Sequence, residues 1–326
     1  MYGSQMPAFI FFCLSMQKKA PVEVSFALQE TQTFFTIFKP FLHSIFSIIK
    51  SSKKDVKHRK QEHLQERKVM KMLKYYGADP EFSLEGKTAV ITGGAAGIGY
   101  ATAELFAKKG VNLVLADLNP KADEVAKKLG KNAIGVAGDV TDADYRKKVL
   151  DKAVKEFGQV DILINCAGIV ALEKAEILPE SFWDRTMAIN LKASFMMAQL
   201  FGKYFIDNGI AGSIVNMGSQ AGVIALDKHV AYCAAKGAII AMTKVLAMEW
   251  GQYGIRVNAV SPTVVLTELG HKAWDGPAGD AFKPEIPAKR FAEPDEIAGT
   301  IAFLCSGAAG MITGHNLLVD GGYTIK

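Results

Sequence analysis

Seven short apolar runs, separated by longer stretches, constrain this 326-residue chain more than any other feature. They are Lys87–Thr92, Asn112–Asp117, Ala133–Asp139, Val160–Asn165, Gly212–Met217, Ile255–Ser261 and Asn316–Val319. Each is too short for a helix and apolar on both alternating faces, as a strand covered on both sides must be. The stretches between them carry helical patterns; Ile98–Lys109, stopped by Gly110, is the plainest. Alternating strands and helices predict an α/β fold, a doubly wound parallel sheet of seven strands, Rossmann-like, with helices on both faces. The pattern runs from Phe82 to the C-terminus, so residues 82–326 are read as one domain and residues 1–81 as an N-terminal extension.

Charge divides the chain at the same place. Residues 1–74 carry 13 Lys+Arg against 5 Asp+Glu, whereas residues 75–326 carry 25 against 28. The domain is mildly acidic, which gives a nucleic-acid partner no electrostatic footing. In the extension, the Phe- and Ile-rich stretch from Phe34 to Ile49 is interrupted by Lys39, Pro40 and His43, so it is short of the roughly 20 apolar residues a span needs. A surface anchor whose basic run faces anionic lipid, a disordered tail, or an upstream sequence not translated in the source all suit it. Lys outnumbers Arg 32 to 6, as in an AT-rich genome, and Gln65–Lys68 can be written in purine-rich codons ahead of Met70 and Met72. A start at Met70 or Met72 is the favoured expectation. No membrane partner is expected of the domain.

Cys13, Cys166, Cys233 and Cys305 form no CxxC pair, and the six histidines form no HxxxH. A disulfide framework and a metal site are therefore not expected, and a reducing, cytoplasmic compartment is.

Three constellations suggest chemistry. The first run ends in Thr92-Gly93-Gly94-Ala95-Ala96-Gly97-Ile98-Gly99 and leads into a helix. Glycines there let the backbone approach a pyrophosphate held at the helix N-terminus, although the spacing TGxxxGxG is not GxGxxG. Asp117 closes the second run 18 residues after Gly99. Its carboxylate can accept ribose hydroxyls and would repel a 2′-phosphate by about a few kcal/mol; it could also simply cap a turn. Ala96 and Leu118 offer such a phosphate no cation, so NAD is preferred to NADP. Tyr232 and Lys236 lie four apart and share a helix face, where an ammonium would favour phenolate and lower the phenol pKa. With nine Tyr and 32 Lys in the chain, about one such pair is expected by chance, so the spacing needs company.

The company is Ser219, 13 residues before Tyr232, Asn165-Cys166-Ala167-Gly168 after the fourth run, Asn190 in the next helix and Asp139 after the third run. Together these resemble the short-chain dehydrogenase/reductase family across the whole domain. The resemblance implies that Ser219 holds the substrate oxygen and Tyr232 exchanges its proton. Lys236 would hold the nicotinamide ribose while lowering the tyrosine pKa, and Asn190 would hold a water that joins Lys236 to solvent. It further implies cofactor contacts at Gly93, Ala96, Gly97, Ile98, Gly99, Asp117, Leu118, Asp139, Val140, Asn165, Ala167 and Gly168, with Asn165 lining the groove. Pro262, Val265 and Thr267 would follow after the sixth run, Thr267 at the carboxamide.

Two departures stand out. Cys166 replaces the second Asn of the usual NNAG, and Thr263 replaces the Gly of the usual Pro-Gly. The run Pro262–Thr267 resembles the sugar and polyol branch, L-xylulose reductases included, more than fatty-acid ketoreductases. The expected reaction is oxidation of a small polyol, of four or five carbons, to its ketose. A 3-oxoacyl reductase is the alternative, although such reductive biosynthesis usually draws on NADPH; a non-enzymatic scaffold leaves the Ser219/Tyr232/Lys236/Asn190 set unexplained. Glu268–Pro294, with His271, Lys272, Trp274, Gly276 and Gly279, reads as a mobile lid over the pocket or as a plain surface loop. Helices over Phe182–Phe205 and Tyr232–Trp250 are apolar nearly all round, which suits a second subunit against them, in a homodimer or homotetramer, or an unusually deep monomer core. The ending Val319–Tyr323 falls where subunits of that family usually meet.

Overall fold

A computed structural model describes residues 82–325, all in the second of the two units, 1–64 and 65–326, into which the chain divides. The expectations for the extension lie outside the described residues.

The strands form where the apolar runs predict them: β1 (Thr88–Thr92), β2 (Asn112–Asp117), β3 (Ala133–Ala137), β4 (Ile162–Asn165), β5 (Ser213–Met217), β6 (Arg256–Pro262) and β7 (Asn316–Val319). The sheet order is β3-β2-β1-β4-β5-β6-β7, and every neighbouring pair is parallel. Its helices are α1 (Gly97–Lys108), α2 (Ala122–Lys127), α3 (Ala143–Phe157), α4 (Glu180–Thr186), α5 (Ser194–Asn208), α6 (Val230–Trp250), α7 (Glu268–Trp274), α8 (Pro277–Phe282) and α9 (Pro294–Cys305).

Because alternate residues of a strand face opposite ways, each central strand feeds two cores. Ile91, Leu113 and Ile164 join Phe106 of α1 and Ile301 of α9 on one face. Val90, Val114 and Leu163 join Val149 of α3, Phe201 and Phe205 of α5 and Leu246 of α6 on the other. Burial on both faces is why these runs are apolar without alternation.

The stretch expected as one helix from Phe182 to Phe205 is broken in kind. Between α4 and α5 the chain winds as a π-helix over Met187–Ala193, a geometry rare outside functional sites. Topology then locates the crevice. The chain moves outward from β1 through β2 to β3, then returns to β4 on the other side of β1, so the strand order reverses between β1 and β4. Ligands of such sheets bind beyond the strand C-termini at that reversal, and Thr92 pairs with Asn165 there.

Candidate active site

The glycine turn is held from both sides of the reversal. Gly93 N donates to Ala116 O on β2 at 2.8 Å, and Thr92 Oγ1 accepts from Cys166 N and Ala167 N at 3.0 and 3.1 Å. A Cβ on Gly99 would lie 2.1 Å from Gly93 O, so no side chain fits where α1 leaves the turn. Gly97 has φ +54°, and a Cβ there would meet nothing within 4 Å except the Thr267 side chain, 3.3 Å away. Between that glycine and the loop after β6 lies a cradle that any larger residue would fill. Ala96 caps α1 in extended conformation with no side-chain hydrogen bond, leaving the helix's first N–H groups for an anion. Ile98 packs against the core beneath.

Asp117 does more than its position suggested. Oδ2 accepts from Ala95 N and Oδ1 from Asn119 N, both at 2.9 Å, so the carboxylate pins the glycine turn and also caps its own turn. A carboxylate oxygen has two lone pairs, so both oxygens keep capacity for hydroxyl donors. Leu118 beside it is 69% exposed. Asp139 Oδ1 accepts from Thr141 N and Thr141 Oγ1, each at 2.8 Å. Arg146 ties down the following turn by donating to Val140 O and Thr141 O at 2.9 and 2.8 Å, and Val140 leans on the core.

Asn165 departs from expectation: its side chain lies under the groove rather than along its wall. Nδ2 donates to Ser194 O at 3.1 Å and to Asn216 Oδ1 at 2.9 Å, and Asn216 Nδ2 continues to Thr243 Oγ1 at 3.0 Å. The reason is burial: an amide placed between β4 and β5 must find partners there. Asn190, on the π-helix, clamps the loop after β4 by accepting from Ile169 N and donating to Ile169 O, both at 2.8 Å. Gly168 sits against it, close enough that a Cβ would lie 3.3 Å from Asn190 Oδ1 and 3.9 Å from Lys236 Nζ.

The reacting end is on α6. Lys236, 5% exposed, donates through Nζ to Met217 O at 2.6 Å and lies 5.5 Å from the Tyr232 ring centroid. Ser219 ends the run after β5; its Oγ accepts from Ala221 N at 3.1 Å, and its hydroxyl is near enough to the Tyr232 phenol to favour its ionised form. Burial pulls Lys236 down to about 8, opposed by the nearby Cys166 sulfur. Burial also pushes the Tyr232 phenol above 10, while the Ser219 hydroxyl pulls it back. The lowering expected from Lys236 is not seen: desolvation sets the direction of the Tyr232 shift, and what opposes it is Ser219. Burial likewise pushes the Cys166 thiol up to about 12, which suits its reading as a small buried hydrophobe.

After β6, Pro262 closes the strand, and Val265 pairs with Ala292 to shut the base of a long excursion. Thr267 Oγ1 caps α7 by accepting from Gly270 N at 3.1 Å, while its methyl faces Gly97. Sequence reasoning missed Gln220 and marked Thr263 only as a departure from the usual Pro-Gly. Gln220 Oε1, Thr263 Oγ1 and Asn165 Oδ1 are buried side-chain oxygens with no hydrogen-bond partner, and they stand at the ends of β5, β6 and β4. Leaving such atoms unpaired costs about 1–3 kcal/mol each, a cost concentrated around the crevice. No motif marks a lone glutamine; adjacency to Ser219 was the available signal. Among the described residues no cluster of three His, Cys, Asp or Glu side chains is placed to hold a metal.

A family model described as enoyl-(acyl carrier protein) reductase matches residues 93–324. The chain belongs to the short-chain dehydrogenase/reductase family. It is 53% identical over 253 residues to an NAD-dependent glycerol dehydrogenase of Listeria innocua, covering 77% of this chain and 99% of that one. It is also 53% identical over 252 residues to a D-threitol dehydrogenase of Mycolicibacterium smegmatis, covering 76% and 96%. Among solved structures, a 3-ketoacyl-(acyl-carrier-protein) reductase from Brucella melitensis complexed with NADH superposes with a TM-score of 0.70 at 35% identity, covering 74% of this chain and 100% of that one.

Proposed function

We propose that this short-chain dehydrogenase oxidises a secondary hydroxyl of a small polyol to the ketone, with NAD as acceptor, and runs the reverse reaction on the keto sugar. The observation that carries the reading is the Ser219–Tyr232–Lys236 set on a crevice whose glycine cradle fits a dinucleotide, in a chain 53% identical to glycerol and threitol dehydrogenases.

NAD, when bound, would supply the hydride acceptor. The chain supplies the rest. The α1 N-terminus and the Gly97 cradle take the pyrophosphate, and Asp117 accepts the adenosine-ribose hydroxyls. Asp139 and Val140 flank the adenine, with Ala167 and Gly168 along the groove. Ser219 donates to the substrate oxygen, and Tyr232 takes its proton as the carbonyl forms. Lys236, charged at neutral pH with a value of about 8, holds the nicotinamide ribose and opposes the burial that favours neutral phenol. Thr267, Val265 and Pro262 border the nicotinamide. Asn190 fixes the loop carrying Gly168 and Ile169 beside Lys236, and the water joining Lys236 to solvent is assigned to its neighbourhood.

The decisive experiment follows NADH absorbance with NAD or NADP and a panel of three- to six-carbon polyols. A kcat/KM at least about tenfold higher with NAD, on at least one polyol, is expected. Turnover of 3-oxoacyl thioesters with no polyol turnover would replace this reading with a 3-oxoacyl reductase, the activity named for a 37% identical relative from Thermotoga maritima.

α5 and α6 support an assembly of copies. Phe195 and Gln199 of α5 and Leu246 and Trp250 of α6 line an outer cavity of about 340 Å³. Val245 and Met248 of α6 are 49% and 77% exposed. A second copy covering this face in a homodimer or homotetramer accounts for both. α6 is also long and apolar enough to cross a membrane, yet it carries the catalytic pair and packs on the sheet. A cytoplasmic setting suits the free cysteines, Cys166, Cys233 and Cys305.

A further inference from the structure

The excursion after β6 is tied to the body unevenly. At its base, Leu266 N donates to Ala292 O at 2.9 Å and Ala292 N to Val264 O at 3.0 Å, and Ile286 and Phe291 are buried. Its leading helix, α7, has no buried residue. The ion pairs Lys272–Glu268, His271–Asp275 and Lys283–Asp280 are exposed and internal to the excursion, so they anchor it to nothing and are worth little.

Aromatic contacts tie α7 to the rest of the excursion. Trp274, at its end, packs on Phe282 with centroids 5.2 Å apart and on Phe291 at 5.8 Å. Phe282 in turn stacks on Tyr323 at 5.0 Å. Tyr323 stands on a firm post: the buried Asp320 carboxylate, directly after β7, accepts from Gly322 N, Thr324 N and Thr324 Oγ1 at 3.0, 2.8 and 2.7 Å. Beside it, Ala288 N donates to Gly321 O at 3.0 Å. Between α7 and α8, Gly276 at φ +94° gives the excursion a hinge that other residues would resist.

We infer that Tyr323 is a positioning residue for the substrate site: through the Phe282–Trp274 stack, the C-terminal turn holds α7 down beside the nicotinamide end of the crevice. This rests on the polyol reading for its kinetic consequence, but not for its structural one. The C-terminus thereby sets how readily the lid opens, although it touches no reacting atom.

The test compares the full chain with Tyr323→Ala and Tyr323→Phe. In Tyr323→Ala, amide hydrogen exchange should quicken across residues 268–283 and stay unchanged in β1, β4 and α6. At saturating NAD, polyol KM should rise about three- to tenfold, the factor one aromatic pair is worth, while NAD KM moves less than about twofold. Tyr323→Phe, which keeps the ring, should retain both properties. Unchanged exchange in 268–283 would overturn the inference whatever the activity, as would a parallel rise of both KM values or quickened exchange spread through the sheet. Faster lid exchange in a protein that oxidises no polyol would support the buttress and sink the substrate reading instead.

Discussion

At the scale of single residues, chemistry is concentrated on α6. Tyr232→Phe removes the group that takes the substrate's proton but leaves the cradle and Asp117 intact, so turnover should fall about 10²–10⁴-fold with NADH affinity, read by fluorescence, nearly unchanged. Asp117→Ala should narrow the NAD-over-NADP ratio of kcat/KM. It should also lower Tm, because Ala95 N and Asn119 N lose their acceptor. Lys236 gives stability a pH signature. Its folded value of about 8 lies below the ordinary 10.5, so between those values the unfolded chain binds the extra proton and stability from this group rises with pH. Relative to Lys236→Met, the wild type should gain up to about 1.4 kcal/mol per pH unit in that window, measured by urea unfolding at pH 7.5 and 9.5; a flat difference would contradict the burial. The YxxxK pair could be nominated from sequence only in the company of Ser219 and Asn190, and Asp117 was legible as the carboxylate that ends β2. Asn165 and Gln220 were not: whether an amide faces a groove or the space beneath it depends on packing across strands that sequence does not place side by side.

Elements were legible wherever hydrophobic burial alone decides them. All seven strands fall within about two residues of the apolar runs, since a strand covered on both faces leaves no other pattern. The π-helix at Met187–Ala193 was not, because its residues are ordinary helix formers and its cause is tertiary: Asn190 must meet both backbone groups of Ile169. Asn190→Ala leaves that N–H and C=O unpaired in a part-buried site. The variant should lose about 1–3 kcal/mol of unfolding free energy, and kcat should fall because the loop beside Lys236 loosens. Asn190→Asp keeps an acceptor for Ile169 N but offers Ile169 O no donor when ionised, so it should recover only part of the loss. A variant as stable and active as wild type would leave the π-helix without its proposed purpose.

For the whole molecule, the described domain holds a complete sheet, both cores and every residue of the candidate site, and the family match begins at Gly93. Deleting residues 1–69 should therefore leave Tm and kcat/KM within about twofold of the full chain; loss of either would make the extension part of the enzyme. Assembly is the larger question. A helix that is apolar over most of its circumference gains little from a sheet that covers one side of it, and Val245 and Met248 remain exposed on a single chain, beside the exposed Lys244 and Glu249. Covering them against a second copy removes apolar surface from water at about 25 cal/mol per Å², and a face related to itself by a two-fold axis closes without leaving another copy of the patch bare. Light scattering at micromolar concentration should give two or four times the chain mass. Val245→Glu with Met248→Glu should reduce that to one, because paired copies would bring four carboxylates into one dry interface. α6 also bears Tyr232 and Lys236, so the separated chains should lose activity along with mass, and a wild type that runs as a fully active monomer would refute the assembly.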